Sequence, residues 1–151
     1  MVTGFTGSAN PFCTYGANTD GPAIPAGCSA PSISNIFSDV WFRVVAPITG
    51  TLQFGACADF NVRMAVYDEG IFGACACPSG IFPAALLGCS TTDSFVTCGQ
   101  GTALLVPVEA GRCYTVRLGG ATGQQGTGNR EPAISTSTST RPPASSPPPT
   151  R

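Results

Sequence analysis

The chain has 151 residues, a formal net charge of −1 and a charged fraction of 10%, which is enough for one domain and a tail. It contains no lysine and no histidine, and its seven arginines are scattered. We therefore expect no nucleic-acid partner, because nucleic acids bind clustered cations. The same absences remove the Ser-His-Asp and Cys-His catalytic systems and Schiff-base chemistry, so the chain is predicted not to be an enzyme. No apolar run approaches the ~20 residues that span a bilayer, so no membrane span is expected.

The first part of the chain, residues 1 to about 38, is rich in Gly, Ala, Ser and Pro. In residues 39 to 120, hydrophobic and polar residues alternate, which indicates strands with one buried face. In "DVWFRVVAP", for example, Val40 and Phe42 share one side of the strand. Trp41 lies on the other side and is interpreted as a core residue rather than a platform for a ligand.

Further short strands are predicted at "TLQFGAC", "NVRMAVYD", "AALLGC", "TALLVPV" and "RCYTVRLGG", with Gly- and Pro-rich turns between them. The predicted fold class is therefore all-β, an antiparallel β-sandwich with a jelly-roll-like arrangement.

The strand pattern stops near Thr122, and residues 129–151 have the composition of a Ser/Thr/Pro-rich tail or linker. Such segments attract O-linked glycans in secreted proteins. The candidate glycosylation sites are Ser135, Thr136, Ser137, Thr138, Ser139, Thr140, Ser145, Ser146 and Thr150. The predicted organisation is an extended segment over residues 1–12, a sandwich over 13–128 and a tail over 129–151.

Eight cysteines in a Gly- and Pro-rich chain without metal-type spacing are predicted to form structural disulfides. They are Cys13, Cys28, Cys57, Cys75, Cys77, Cys89, Cys98 and Cys113. Disulfides imply an oxidising compartment, so the protein is predicted to be secreted or held at the cell surface. The start, "MVTGFTGSANPF", is not a signal peptide, and we expect a mature product or an excerpt of a longer chain. Cys13 is predicted to pair with Cys28, and the pairing of the other six is left open.

The middle of the chain resembles a bacterial extracellular β-sandwich module grouped with the pre-peptidase C-terminal (PPC) and CUB-like domains. The ordered motifs "GANTDGP", "DVWFRVVAPITGTL", "CADFNVRMAVYDEG", "LLGC" and "VEAGRCYTVRLGG" carry the resemblance, which covers roughly residues 14–128. It implies a jelly-roll sandwich of the kind found in large secreted and cell-surface proteins, beside peptidases or in adhesins.

The resemblance also raises the question of calcium. Family members often carry paired acidic residues just after the cysteine that Cys89 matches, whereas this chain reads "GCSTTDSF". Calcium needs six to eight oxygens and usually several carboxylates. The calcium candidates are Asp59, Asp68, Glu69 and Asp93, and no other cofactor is predicted.

The end of the domain departs from the family. A closing strand of alternating apolar residues usually follows Gly-Thr-Gly, but this chain continues "GTGNREPAISTST". Charged residues and Pro132 make a poor strand, because proline lacks the backbone N–H donor. We therefore expect a sandwich that lacks its closing strand and is completed by a strand donated from a neighbour. Residues 1–12 and the tail are the candidate donors.

Two functions from different classes remain. The first is a non-enzymatic structural protein, a subunit of an extracellular fibre or surface assembly that associates with neighbouring subunits and carries glycans on its tail. The alternative is a PPC/CUB-like accessory module that binds carbohydrate or protein for a larger secreted enzyme or adhesin. For sugar binding, Tyr15, Phe60 and Tyr67 are the aromatic residues considered as a stacking face.

Overall fold

The computed structural model describes residues 10–25, 28, 35–70, 86–90 and 100–133. Several predicted features lie outside the described residues. They are the tail from residue 134 onward with all its candidate glycosylation sites, residues 1–9, Asp93, Cys75, Cys77 and Cys98.

The described residues form eight strands in two antiparallel four-stranded sheets. The strands are β1 (Asn10–Cys13), β2 (Phe37–Val45), β3 (Gly50–Ala58), β4 (Val62–Gly70), β5 (Leu86–Ser90), β6 (Gly101–Val108), β7 (Cys113–Gly120) and β8 (Thr127–Ala133). One sheet has the order β1-β8-β3-β6 and the other has the order β2-β7-β4-β5. The predicted all-β antiparallel architecture is confirmed. None of the described residues forms a helix long and apolar enough to cross a membrane.

The main core lies between the two sheets, which makes the domain a β-sandwich. Its side chains come from alternate positions of the strands, such as Phe42 and Val116 in one sheet and Leu52 and Phe54 in the other. Because successive side chains of a strand point to opposite faces, the period of two seen in the sequence selects these inward positions. The alternation therefore identifies the inner face of each sheet correctly.

The sandwich contains the closing strand that the sequence was expected to lack. The strand β8 lies between β1 and β3, and its residues Gly128 and Pro132 are opposite Ala58 and Phe54 of β3. The described pairing of β1 with β8 runs from Asn10, opposite Arg130, to Cys13, opposite Thr127, and Pro132 is opposite Phe54 of β3. The expectation of an incomplete sandwich is therefore wrong, and strands extend past residues 13 and 128 at both ends.

The strand β1 is anchored to its own domain. Phe12 is buried and contacts Phe42 and Phe60 edge to face, with ring centroids 6.2 and 6.4 Å apart. Directly after the strand, the N–H of Thr14 donates to the carbonyl of Gly126, whose own N–H donates to the Thr14 hydroxyl, each at 2.9 Å. In this structure the N-terminal strand completes its own sandwich rather than a neighbour's.

Replacing Phe12 by alanine should therefore destabilise the domain by about 3–5 kcal/mol, because it removes a buried ring between two others. Urea unfolding followed by fluorescence measures this difference. Val45→Ala is the matched control, since Val45 lies 49% exposed on β2, and it should change stability by less than about 0.5 kcal/mol. Equal stability of the two variants would contradict the packing of β1 against the core.

Candidate functional site

The cysteines separate into an oxidised set and one exposed thiol. Cys28 is bonded to Cys89, and Cys57 and Cys113 are disulfide-bonded as well. Cys13 is exposed and is the only cysteine of the described residues without a disulfide. The prediction of structural disulfides is thus confirmed for four cysteines.

The predicted pairing of Cys13 with Cys28 is wrong. Cys13 lies in β1 at the edge of one sheet, whereas Cys28 is bonded to Cys89 in β5 at the edge of the other. Cys13 and Cys28 are close in sequence but not in space, because the chain crosses from one sheet to the other between them. The Cys28–Cys89 bond instead closes a loop of 61 residues, which contributes about 4 kcal/mol by restricting the unfolded chain.

An open groove of about 600 Å³ lies beside the exposed thiol at the β1 edge. Its lining is contributed by β1, the end of β3 and the start of β8, and consists of Pro11, Phe12, Cys13, Cys57, Ala58, Asp59, Thr127 and Gly128. In the sheet order, β1 is terminal and pairs with β8 on one side only. The groove therefore combines an edge strand with a reactive side chain.

The structure does not bring Asp59 together with the other described calcium candidates, Asp68 and Glu69, which are neighbours in β4. Asp59 accepts hydrogen bonds from the backbone N–H of Thr127 at 2.8 Å and from its hydroxyl at 3.2 Å. Asp68 lies near the other end of β4, roughly 20 Å further along at the usual rise of a strand, and forms an ion pair with Arg112 at 2.7 Å. Among the described residues, no three acidic, cysteine or histidine side chains are grouped as metal ligands would be.

Among the described residues, Arg117 makes an extensive set of side-chain contacts. It lies fully buried on the outer face of the sheet β2-β7-β4-β5, and its Nε donates to Asp39 Oδ2 at 2.6 Å. Its Nη1 donates to the carbonyl of Pro22 at 2.6 Å, and its Nη2 donates to the carbonyl of Ile36 at 2.9 Å. The guanidinium also lies 5.4 Å from the centre of the Trp41 ring. These contacts satisfy a charge that would otherwise be very costly to bury.

The chain that supplies these oxygens covers the outer face of the sheet. We call its described residues 18–25, 28, 35 and 36 the strap. Ile24 and Ile36 of the strap pack with Ala65 and Tyr67 of β4 in a second apolar cluster, against which Trp41, Leu86 and both cysteines of the Cys28–Cys89 bond also pack. Arg63, also buried, donates to the carbonyl of Asn35 at 3.3 Å. The protein's own chain therefore supplies hydrogen-bond acceptors to two buried arginines of this face, Arg63 and Arg117.

The aromatic residues considered for sugar stacking do not form one surface. Tyr15 is 65% exposed, Phe60 is buried in the main core, and Tyr67 is buried in the second cluster. Trp41 does pack against apolar side chains, as predicted, but in the second cluster rather than between the sheets. Its indole N–H donates to Asp39 Oδ1 at 3.2 Å, and its ring lies 5.7 Å from that of Tyr67.

A second row of polar side chains crosses the same face beside Arg117. Arg43 on β2 is opposite Thr115 on β7, which in turn is opposite Tyr67 on β4. Glu69 follows on β4, and its carboxyl lies beside the Thr115 hydroxyl. We call these four residues the outer polar row.

Each member of the outer polar row has a buried polar atom with no hydrogen-bond partner in the described part of the chain. The atoms are Arg43 Nε, Tyr67 OH, Glu69 Oε1 and Thr115 Oγ1. An unpaired buried polar group costs about 1–3 kcal/mol. Four such groups together would cost about as much as the whole net stability of a domain, which is about 5–15 kcal/mol.

The environment of the row changes the titration of its acidic groups. Burial raises the pKa of Glu69, the neighbouring Asp68 carboxylate raises it further, and the Thr115 hydroxyl opposes the shift. Burial likewise raises the pKa of Tyr67. In the adjacent ion pair, burial raises the pKa of Asp39 and the Arg117 guanidinium opposes that rise.

Replacing Arg117 by methionine should destabilise the domain by about 3–5 kcal/mol, because it leaves the Asp39 carboxylate buried without its partner. Arg112→Met is the matched control, since the Arg112–Asp68 pair is partly exposed and water screens such a pair, so its loss should cost much less. Urea unfolding of both variants gives the comparison. Similar losses in the two variants would contradict a special role for the buried pair.

Replacing Glu69 by glutamine should raise Tm at neutral pH, because a carboxyl with a raised pKa in the folded state opposes folding once it must ionise. The sign follows from linkage, since the cost is present above the folded pKa and disappears below the unfolded pKa of about 4.3. Thermal unfolding from pH 8 to about pH 3.5 measures the difference between variant and wild type. A difference that does not shrink toward acid pH would contradict the assignment.

The comparison with protein families finds no matching family, and the comparison with curated proteins finds no match either. Among solved structures, the chain is similar to the A domain of epithelial adhesin 6 from Candida glabrata, solved in complex with Galb1-3GlcNAc, at a TM-score of 0.39 and 16% sequence identity. The match covers 66% of this chain and 43% of that chain, so it spans less than half of the adhesin domain's length.

Proposed function

We propose that this chain is a non-enzymatic structural protein of the extracellular space, a subunit that joins other copies of itself in a fibre or surface assembly. Its tail, with candidate O-glycosylation sites from Ser135 to Thr150, carries glycans in this proposal. Four oxidised cysteines support an oxidising compartment and hence secretion or surface display.

The proposal includes a jelly-roll arrangement of the kind found in PPC/CUB-like modules. An eight-stranded jelly roll consists of two four-stranded antiparallel sheets linked by Greek-key crossovers. The sheet orders β1-β8-β3-β6 and β2-β7-β4-β5 support it, because most neighbours in each sheet are far apart in sequence.

The observation that carries the assembly hypothesis is the exposed thiol of Cys13 on the edge strand β1. An edge strand presents unpaired backbone N–H and C=O groups to other chains. A leftover cysteine in a disulfide-rich secreted protein is typical of pairing between molecules. Here the two features coincide at one place, in a domain whose other described cysteines are oxidised.

The mode of association differs from the strand donation expected from the sequence. Because β8 fills the sheet between β1 and β3, a neighbour's strand has no missing position to occupy there. We instead place the contact at the outer side of β1, with a Cys13–Cys13 disulfide between two copies. In its formation the two thiols lose two protons and two electrons to a low-molecular-weight disulfide, which is reduced to two thiols.

Purified protein oxidised with such a disulfide should run as a covalent dimer on a non-reducing gel and as a larger species in light scattering, and Cys13→Ser should abolish the covalent dimer. Tyr15→Ser is the matched control, because it changes an exposed side chain two residues away. Electron microscopy of the native material should show regular filaments. A wild type that stays monomeric in light scattering and disperses as small particles would contradict the proposal.

A second candidate function is an accessory binding module of a larger secreted protein. An open groove of about 380 Å³ near the β5 and β6 edges favours it, because apolar and charged side chains meet there. Its lining includes Asp68, Leu87, Pro107, Glu109, Arg112 and Tyr114. A tethered module should be monomeric with a protease-sensitive tail, whereas an assembled subunit should be multimeric with its tail protected.

A further inference from the structure

The outer polar row lies beside the Arg117 network, and the two rows are satisfied very differently. Arg117 donates to a carboxylate and to backbone oxygens of the strap, so that each of its three nitrogens is hydrogen-bonded. The adjacent Tyr67 and Thr115 are 1% and 0% exposed. The Tyr67 hydroxyl lies near the Arg117 guanidinium and the Thr115 hydroxyl lies near the Glu69 carboxyl, yet neither makes a hydrogen bond of good geometry to a described residue. Four buried polar atoms that lack a well-formed hydrogen bond to a described residue therefore lie together in the outer polar row.

The chemistry of the four unpaired atoms restricts what can pair with them. Arg43 Nε can only donate a hydrogen bond, whereas the Glu69 carboxylate oxygen can only accept one. A simple anion cannot donate to Glu69, and a metal cation cannot accept from Arg43. A hydroxyl group does both, and the hydroxyls of Tyr67 and Thr115 can pair with it in either direction.

The spacing of the row also bears on the size of the ligand. Arg43 and Tyr67 lie on strands separated by β7, so their backbones are about 9–10 Å apart at the usual strand spacing. One water molecule does not span two side chains across that width unless both lean toward it. Several linked hydroxyl groups cover the width, either as a chain of water molecules or as the hydroxyls of one sugar ring.

We propose that the outer polar row binds an uncharged, hydroxyl-bearing ligand, in which the Arg43 guanidinium donates to a ligand oxygen, Glu69 accepts from a ligand hydroxyl, and Tyr67 and Thr115 complete the network. The two sources of this chemistry are ordered water and a carbohydrate. The site is independent of the β1 edge and of the proposed assembly, because it lies on the outer face of the other sheet.

Conservative removal of the two buried hydroxyls tests the proposal directly. If the hydroxyls bond to a ligand, Tyr67→Phe and Thr115→Val should each lower Tm by roughly 3–6 °C, because each loses a hydrogen bond. If they are truly unpaired, the same variants remove an unsatisfied group and Tm should stay the same or rise. In the double variant the losses should not add, because both hydroxyls hold one ligand.

Two tyrosines serve as controls. Tyr114→Phe removes a hydroxyl that accepts from the Glu109 N–H at 2.8 Å, so it should lower Tm by a similar amount. Tyr15→Phe removes an exposed hydroxyl and should leave Tm unchanged. These two variants bracket the result expected for a bonded and for a solvent-exposed hydroxyl.

Measuring Tm with added glucose, galactose, mannose or N-acetylglucosamine at about 10 mM distinguishes bound carbohydrate from bound water. A ligand that binds only the folded state raises Tm. A sugar that raises the Tm of the wild type but not of Tyr67→Phe identifies a carbohydrate site. No response to sugars, together with a lower Tm for Tyr67→Phe and Thr115→Val, identifies bound water, which a high-resolution crystal structure would locate. An unchanged or higher Tm for both variants overturns the proposal.

Discussion

The buried ion pair between Arg117 and Asp39 is the interaction on which the outer half of this domain depends. A guanidinium in an apolar site must have nearly all its N–H groups bonded, and most of the oxygens that do this come from the strap. One charged side chain of β7 therefore determines where a segment some 80 to 95 residues earlier lies. The Cys28–Cys89 bond holds the same segment at a second point. The result is a small second core built around a charge rather than around apolar side chains alone.

The architecture was predictable wherever one face of a strand is buried and the other is not. The alternation around Val40 and Phe42 and the run ending in Leu118 gave the strands, their inner faces and the two-layer arrangement. The outer face of the sheet β2-β7-β4-β5 was not predictable in the same way. It too is buried, under the strap, so the alternation of Trp41 and Arg117 with apolar residues does not indicate exposure. Whether this face is exposed depends on long-range contacts with the strap, which composition and alternation do not reveal.

The strand β8 and the exposed thiol were missed for a related reason. A proline and several charges argue against a central strand, yet β8 pairs with β3 as far as Ala133, which is opposite Gln53. The pairing of Cys28 depends on which strands become neighbours, and the nearest cysteine in sequence lies in the other sheet. Strand propensity and the spacing of cysteines fail in these two cases because the topology brings together residues that are far apart in the sequence. The outer polar row was also invisible in the sequence, since its four members come from three strands.

The antiparallel pairing of β1 with β8 has a mechanical consequence. Asn10 is opposite Arg130, so the first residue of β1 and the last residues of β8 lie at the same end of one sheet. Tension applied to these two strands through the main chain would break the hydrogen bonds between β1 and β8 one after another, in an unzipping geometry. In a shear geometry, by contrast, all the hydrogen bonds of the pair would bear the force together. Cys13 stands at the opposite end of β1, so a covalent link there bears load from the other direction. We therefore expect the domain to unfold at low force when tension passes through both β1 and β8, and to resist force better when it is attached to an assembly at a single point.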